Sequence, residues 1–410
     1  MRAGGAATTA GLGHVVETLR PTRAIIDLGA LANHVRVLSA ALGGPSLMAV
    51  VKANGYGHGA TMVARTALLH GASALAVATV DEGAALRADG ITADILVLGP
   101  VLSGEVTRAL ENRLQLTVIS PSMVLTVSAS ARRLGLTCRP QLHVKLDSGM
   151  HRFGSDIETA IATARQIDAD GHLKLAGVCT HLASAEEDAL GPTIQQMSCF
   201  EAFLGALAAA GIQSGTRHVA NSAATLRFSQ MHLDMVRVGL AMYGLNPSPN
   251  CSLPGTFRPV LRVVSRIGRI HPLLPGDRVG YGGSFVATKP MFAALIPIGY
   301  ADGYRRSLSS AAWMSIGGER APVLGRVSMD QTVVGLTPQK VAHIDVHVAV
   351  FGDGSAGEPT IDDIALLAGT NSYEIICGLG ARVPRVYVEG EEVVGFLRPG
   401  HGYVMSQPAR

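Results

Sequence analysis

At 410 residues the chain is longer than one hydrophobic core usually serves, so two domains are expected. Apolar residues make up 48% and charged residues only 16%, which excludes a disordered chain and allows a large packed core. Net charge is +3 with no dense Lys/Arg run, so nucleic acid is not an expected partner. No apolar run reaches the ~18 residues of a membrane span, so no membrane association is expected.

In chain order, residues 1–22 read as a flexible leader. Met1 to Gly13 is rich in Gly, Ala and Thr, but it lacks the continuous apolar stretch of a secretion signal. A strand is predicted at Arg23–Leu28. From there to residue 255, short β-branched runs recur roughly every 20–40 residues. They are Met48–Lys52, Ala74–Thr79, Ile95–Gly99, Leu116–Ser120, Leu142–Asp147, Leu175–His181, Arg217–Ser222 and Met235–Tyr243. Ala/Leu-rich helical stretches such as Ala60–Leu69, Val80–Ala88 and Ile157–Ile167 lie between them. Near-continuous apolar strands alternating with helices indicate a parallel sheet covered on both faces. Eight of them predict an α/β fold closed into a TIM-like βα barrel. Over 256–410 the texture becomes β-rich, with strands at Val260–Ile270, Phe292–Ile298 and Val346–Phe351 and a helix at Ile361–Ala368. Cys138, Cys179, Cys199, Cys251 and Cys377 are odd in number, scattered and free of CxxC pairs. That pattern argues against a disulfide framework or a metal site and fits a reducing cytoplasm.

The chemistry gathers where barrel strands end, which is where βα barrels place their active sites. Lys52 closes the run Met48–Val51 and opens the turn Ala53-Asn54-Gly55-Tyr56-Gly57-His58-Gly59. An amine at the mouth of a buried strand can lose its proton by desolvation and form an imine with a carbonyl. Gly55, Gly57 and Gly59 form GxGxG, but the downstream acid of a dinucleotide fingerprint is missing. Arg152 follows the fifth strand, His181 ends the sixth, Ser222 ends the seventh and Arg237 lies in the eighth. One such residue alone is most often structural; five at five mouth positions define a candidate site.

These segments, together with Val279-Gly280-Tyr281-Gly282-Gly283, Ile296–Gly303, Gly325–Gln331, Tyr373–Cys377 and Arg382–Arg385, resemble the alanine racemase family over about residues 23 to 398. The resemblance implies pyridoxal phosphate (PLP) as cofactor, alanine as substrate and racemisation by two bases. It implies that Lys52 holds the cofactor and serves one face of the substrate, and that Tyr281 serves the other from a partner subunit in a homodimer. It pairs the strand at Arg23–Leu28 with the C-terminal domain. It assigns the phosphate to Tyr56, Ser222, the backbone of Gly239 and Leu240, and Tyr373. Arg237 would face the pyridine nitrogen as a donor that keeps its proton, and with His181 it would support a tyrosinate that is otherwise a poor base near neutral pH. Arg152 would reach the PLP phenolic oxygen and the substrate carboxylate, to which Met329 of the second subunit would offer its backbone N–H, while Tyr300 and Tyr373 narrow the entrance. At Lys145 the family often carries a carbamylated lysine; a plain lysine paired with Asp147 is the alternative. The implied product supplies D-alanine for peptidoglycan.

Three rival readings bear on the same residues. A non-catalytic PLP-binding barrel protein would end after the barrel, whereas this chain continues through Tyr281 and Met329-Asp330-Gln331. A barrel decarboxylase would place an acid where Arg237 stands. A broad-specificity racemase would have a roomier pocket and an export signal.

Overall fold

The computed structural model describes residues 18–336, 343–398, 400 and 402–405. The expected leader lies outside the described residues up to residue 17. Beyond it the backbone is anchored: Arg20 donates to the carboxylate of Asp302, and Thr22 donates to the Pro297 carbonyl at 2.6 Å.

The chain divides into two compact units. One comprises Leu31–Gly55 and Ala60–Phe257 and is built around eight parallel strands among the described residues. They are Ser46–Val50, Ala72–Val77, Asp94–Val97, Gln115–Val118, Gln141–Lys145, Lys174–Cys179, Thr216–His218 and Met235–Val238. Each pairs with its sequence neighbour through the seventh, and the eighth returns to the first, with Ser46 opposite Met235 and Ala49 opposite Val238. The seam between the seventh and eighth is bridged by Asp234 N to Arg217 O at 3.2 Å and Arg237 N to Ala220 O at 2.9 Å, giving a nearly closed barrel. Strand residues such as Leu47, Leu75, Ile95, Leu96, Leu116 and Val144 are essentially inaccessible, as expected for strands packed on both faces. Local sequence sets the helix starts. Thr79 and Glu82 form a reciprocal cap ahead of Val80–Ala88, and Ser120 with Pro121 starts Pro121–Arg133.

Several strands are shorter than their apolar runs. Residues 219–222 leave the seventh strand, and Ser222 opens the helix Ser222–Arg227, capped by Asn221. Past Val238 the chain turns at Gly239 into a 3-10 segment, Leu240–Tyr243. Apolar character persists there because the segment is buried, not because it is a strand.

The other unit comprises, of the described residues, 18–30, Tyr56–Gly59 and those from Arg258 onward. Its main sheet runs in the order Glu319–Pro322, Trp313–Ile316, His347–Phe351, Leu261–Arg266, Arg23–Asp27, Arg385–Glu389, Glu392–Arg398 and Gly402–Met405. Arg23–Asp27 therefore sits centrally, antiparallel to Leu261–Arg266 and parallel to Arg385–Glu389. Arg269–Leu273, Met291–Ile296 and Thr332–Leu336 form a smaller sheet. The run expected at Val260–Ile270 is thus two strands. Gly268 N donates to Leu295 O at 2.9 Å, and the chain changes sheet there. Residues 56–59 are held in this unit by buried Arg385, whose Nε donates to Gly57 O at 3.1 Å.

Candidate active site

Lys52 stands just past the first barrel strand, at the head of an unusual turn. Ala53, Asn54 and Gly55 take φ/ψ of 52/48, 55/48 and 62/45, and Tyr56 follows with φ 51. Left-handed conformation costs roughly 1–2 kcal/mol per L-residue, so such a run persists only when it is anchored. Ala53 N donates to Glu82 Oε1 at 2.6 Å, Gly55 N to Val51 O at 2.8 Å and Ala60 N to Asn54 Oδ1 at 3.0 Å. The same Glu82 carboxylate accepts from Ala78 N at 2.7 Å, tying the turn to the end of the second strand. The sequence marks a glycine-rich turn here; its handedness and the part played by Glu82 come from the structure.

The barrel mouth opens into a cavity of about 320 Å³ lined by Lys52, Lys145, Arg152, His181 and Arg237, with Phe153 and Cys179 among the remaining wall. Among the described residues, no carboxylate lines it. Lys145 Nζ lies 5.0 Å from the Phe153 ring centroid. Burial pushes its amine below the usual lysine range; Arg237 and Arg152 push the same way, against Cys179 and Asp147. Asp147 accepts from Gly149 N and His151 N, each at 3.0 Å.

Arg237 is buried and densely engaged. Its Nη1 donates to His218 O at 2.6 Å and to His218 Nδ1 at 2.8 Å. Its Nη2 donates to Thr180 O at 2.7 Å, Val219 O at 3.1 Å and His181 Nδ1 at 3.3 Å. Burial and then Arg237 hold the His181 imidazole well below its normal pKa, so it is neutral, with Nδ1 accepting and the proton on Nε2. Ser222 meets the eighth-strand turn: its Oγ accepts from Gly239 N at 3.0 Å and from Ala241 N at 3.4 Å, which brings Ser222, Gly239 and Leu240 together.

The remaining candidates belong to the other unit. Tyr56 and Tyr373 face each other with ring centroids 6.2 Å apart, and burial, then Tyr373 and Cys377, pushes the Tyr56 hydroxyl above the usual range. Tyr300 and Met329 lie on adjoining loops joined by Tyr300 N to Ser328 O and Ala301 N to Met329 O, both at 3.0 Å. Tyr281 begins a short turn, Tyr281–Gly283, and is 73% exposed.

Sequence reading assigned no role to Gln115, His143, His218 or Glu82. His143 and Lys145 are two apart on one strand and so share a face. That was the available signal for a second polar residue inside the barrel.

The chain is thus a nearly closed parallel βα barrel whose mouth gathers Lys52, Lys145, Arg152, His181 and Arg237 around one cavity. The chain matches the family described as alanine racemase, N-terminal domain, over residues 26–247, and the alanine racemase C-terminal domain over 260–387. It is 41% identical to an alanine racemase of Desulfovibrio desulfuricans over 90% of this chain and 99% of that protein. Among solved structures, the alanine racemase of Bacillus anthracis with bound L-Ala-P superposes with a TM-score of 0.86 at 34% identity, covering 92% of this chain and 98% of that one. The alanine racemase of Streptomyces coelicolor gives 0.86 at 36% identity, covering 91% and 99%. The chain belongs to the alanine racemase family.

Proposed function

We propose that this chain interconverts L-alanine and D-alanine with PLP as cofactor, supplying D-alanine for peptidoglycan. The observation that carries the proposal is Lys52 in a mouth with Lys145, Arg152 and Arg237 and no carboxylate. That donor set suits a group bearing an aldehyde and a phosphate. When bound, the cofactor supplies an electron sink that makes the Cα proton of an amino acid acidic enough to move.

Lys52 would hold the cofactor covalently and move a proton at Cα on one face. Tyr281 of a partner subunit would move the proton on the opposite face, a role that its 73% exposure leaves it free to fill. His181, neutral and accepting from Arg237 through Nδ1, keeps an N–H at Nε2 to donate toward that tyrosinate. Arg237 cannot give up its proton, so it would donate to the ring nitrogen without protonating it, which restrains side reactions such as transamination. Ser222 with the Gly239–Leu240 turn, Tyr56 and Tyr373 would hold the phosphate. Arg152 and the backbone of Met329 would hold the substrate carboxylate, and Tyr300 with Tyr373 would leave room for a methyl side chain.

Lys145 completes the arrangement as a carbamate. Only a neutral amine can attack carbon dioxide, forming the N–C bond as a C=O π bond opens onto oxygen and giving up one N–H proton to solvent, and burial favours that neutral form here. The resulting anion would orient Arg152, which a cationic Lys145 would repel. Five scattered cysteines with no CxxC pair suit residence in a reducing cytoplasm. No helix among the described residues is long and apolar enough to cross a membrane.

Borohydride treatment of the purified protein, followed by peptide mass mapping, should find the cofactor fixed to the Lys52 peptide. Lys52→Ala should lose racemisation by ~1000-fold or more. Normal turnover of that variant without added amine would sink the assignment.

A further inference from the structure

Arg237 is the upper end of a longer chain of buried side chains. Its Nη1 donates to His218 Nδ1 at 2.8 Å. His218 Nε2 lies 2.9 Å from His143 Nδ1, and His143 Nε2 lies 2.9 Å from Gln115 Oε1. All four residues are nearly inaccessible: Gln115 at 8%, His143 at 3%, His218 at 0% and Arg237 at 5%. They descend the barrel. Arg237 is in the eighth strand at the mouth, His218 ends the seventh, His143 is mid-way along the fifth and Gln115 is the first residue of the fourth. Gln115 also borders a second cavity, of about 550 Å³, at the foot of the barrel, alongside Asp94, Arg139 and Gln141.

The donors and acceptors allow one assignment. Arginine only donates, so His218 Nδ1 must accept, which puts the His218 proton on Nε2. That proton goes to His143 Nδ1, which puts the His143 proton on Nε2, where it meets the Gln115 carbonyl. Gln115 accepts there and carries no charge. The sheet also makes space for the chain. A Cβ at Gly177, on the sixth strand, would stand 2.6 Å from His143 Nδ1 and 2.5 Å from Thr216 O, so the ring occupies room that only glycine leaves.

We infer that Gln115, His143 and His218 are positioning residues for Arg237, forming a one-way hydrogen-bond chain that ends in a neutral amide and so leaves the whole positive charge on the guanidinium at the mouth. The inference rests on the reading of Arg237 as the donor to the cofactor ring. Had the chain ended in a carboxylate, that acid would favour imidazolium forms and divide the charge along the barrel. Burial, followed by Arg237, lowers the pKa of both imidazoles, which agrees with a neutral chain.

The test has two arms. Nitrogen-15 histidine NMR of the purified, unaltered protein should show His143 and His218 as neutral rings protonated at Nε2, whether or not cofactor is bound. A proton on Nδ1 of either ring, or an imidazolium at neutral pH, would overturn the inference. In the second arm, His143→Phe keeps a planar ring but removes both nitrogens, whereas His143→Gln keeps an acceptor and a donor on one amide. His143→Phe should lower kcat about tenfold with KM unchanged, and His143→Gln should stay within about threefold of the unaltered protein. Equal kcat for the two variants would reduce the chain to packing. Failure of the underlying reading has a different signature: Arg237→Ala itself would then leave kcat unaltered, whatever the histidine tautomers.

Discussion

At the scale of single residues, the barrel interior gathers basic groups, and burial lowers the pKa of His143, His181, His218 and Lys145. His143 is the sharpest case, held neutral by burial and then by Arg237, with its pKa lowered to about 4. An unfolded histidine titrates near 6.5, so the folded form takes up its proton at much lower pH than the unfolded form does. Its contribution to stability is therefore fully present above about pH 6.5 and is lost as pH falls from there toward about 4. The loss should amount to about 3 kcal/mol across that window. Equilibrium unfolding at a series of pH values should show this acid-side slope. His143→Gln, which cannot titrate there, should flatten it by that share. Lys52, Arg152, His181 and Arg237, which line one cavity, were legible as strand-end residues in the sequence, because the rule that barrel sites sit at strand ends gave each one a position. His143 and His218 were not. His143 lies inside its strand and His218 inside the apolar run Arg217–Ser222, so each reads as a solitary core histidine, and their partnership depends on which strands curve toward each other.

At the scale of elements, the apolar runs gave the barrel strands and the stretches of helical character gave helices, including Val80–Ala88 and Ile361–Ala368, whose caps the structure then supplied. What the pattern could not give was where a buried strand stops. Residues 239–243 remain apolar because they are buried, while Gly239 turns the backbone out of the sheet. The left-handed turn after Lys52 was likewise largely hidden, since Ala53 and Tyr56 carry no signature of positive φ and Asn54 alone carries only a weak one. The next residues make that turn testable. Gly57 has φ +81, and a Cβ there would stand 2.0 Å from Ile376 O. Neither the conformation nor the space admits alanine. Gly57→Ala should destabilise the protein by at least about 1 kcal/mol and weaken phosphate-dependent cofactor retention by displacing Tyr56. Thermal unfolding combined with equilibrium dialysis of PLP would measure both. Retention of both at their normal values would remove Tyr56 from the proposed phosphate site.

At the scale of the whole molecule, the two proposed bases stand on different compact units, Lys52 on the barrel and Tyr281 on the β-rich unit. If each site takes its tyrosine from a partner, an isologous dimer has two shared sites. Lys52→Ala and Tyr281→Phe should each be nearly inactive alone. Co-refolded in equal amounts they should recover about a quarter of normal activity, because half the dimers are mixed and each mixed dimer has one intact site of two. Demonstrated mixed dimers without recovery would mean that both residues act within one chain. The position of Arg23–Asp27 has a consequence for biosynthesis. On the ribosome it is made before the barrel strands, yet its parallel partner pairs Ala24 with Arg385, which is made after all of them. The barrel segments can assemble while that strand waits with an open edge, and open edges invite wrong pairing. Synthesis speed and chaperone supply, more than the barrel itself, should then govern how much of this protein reaches its native state.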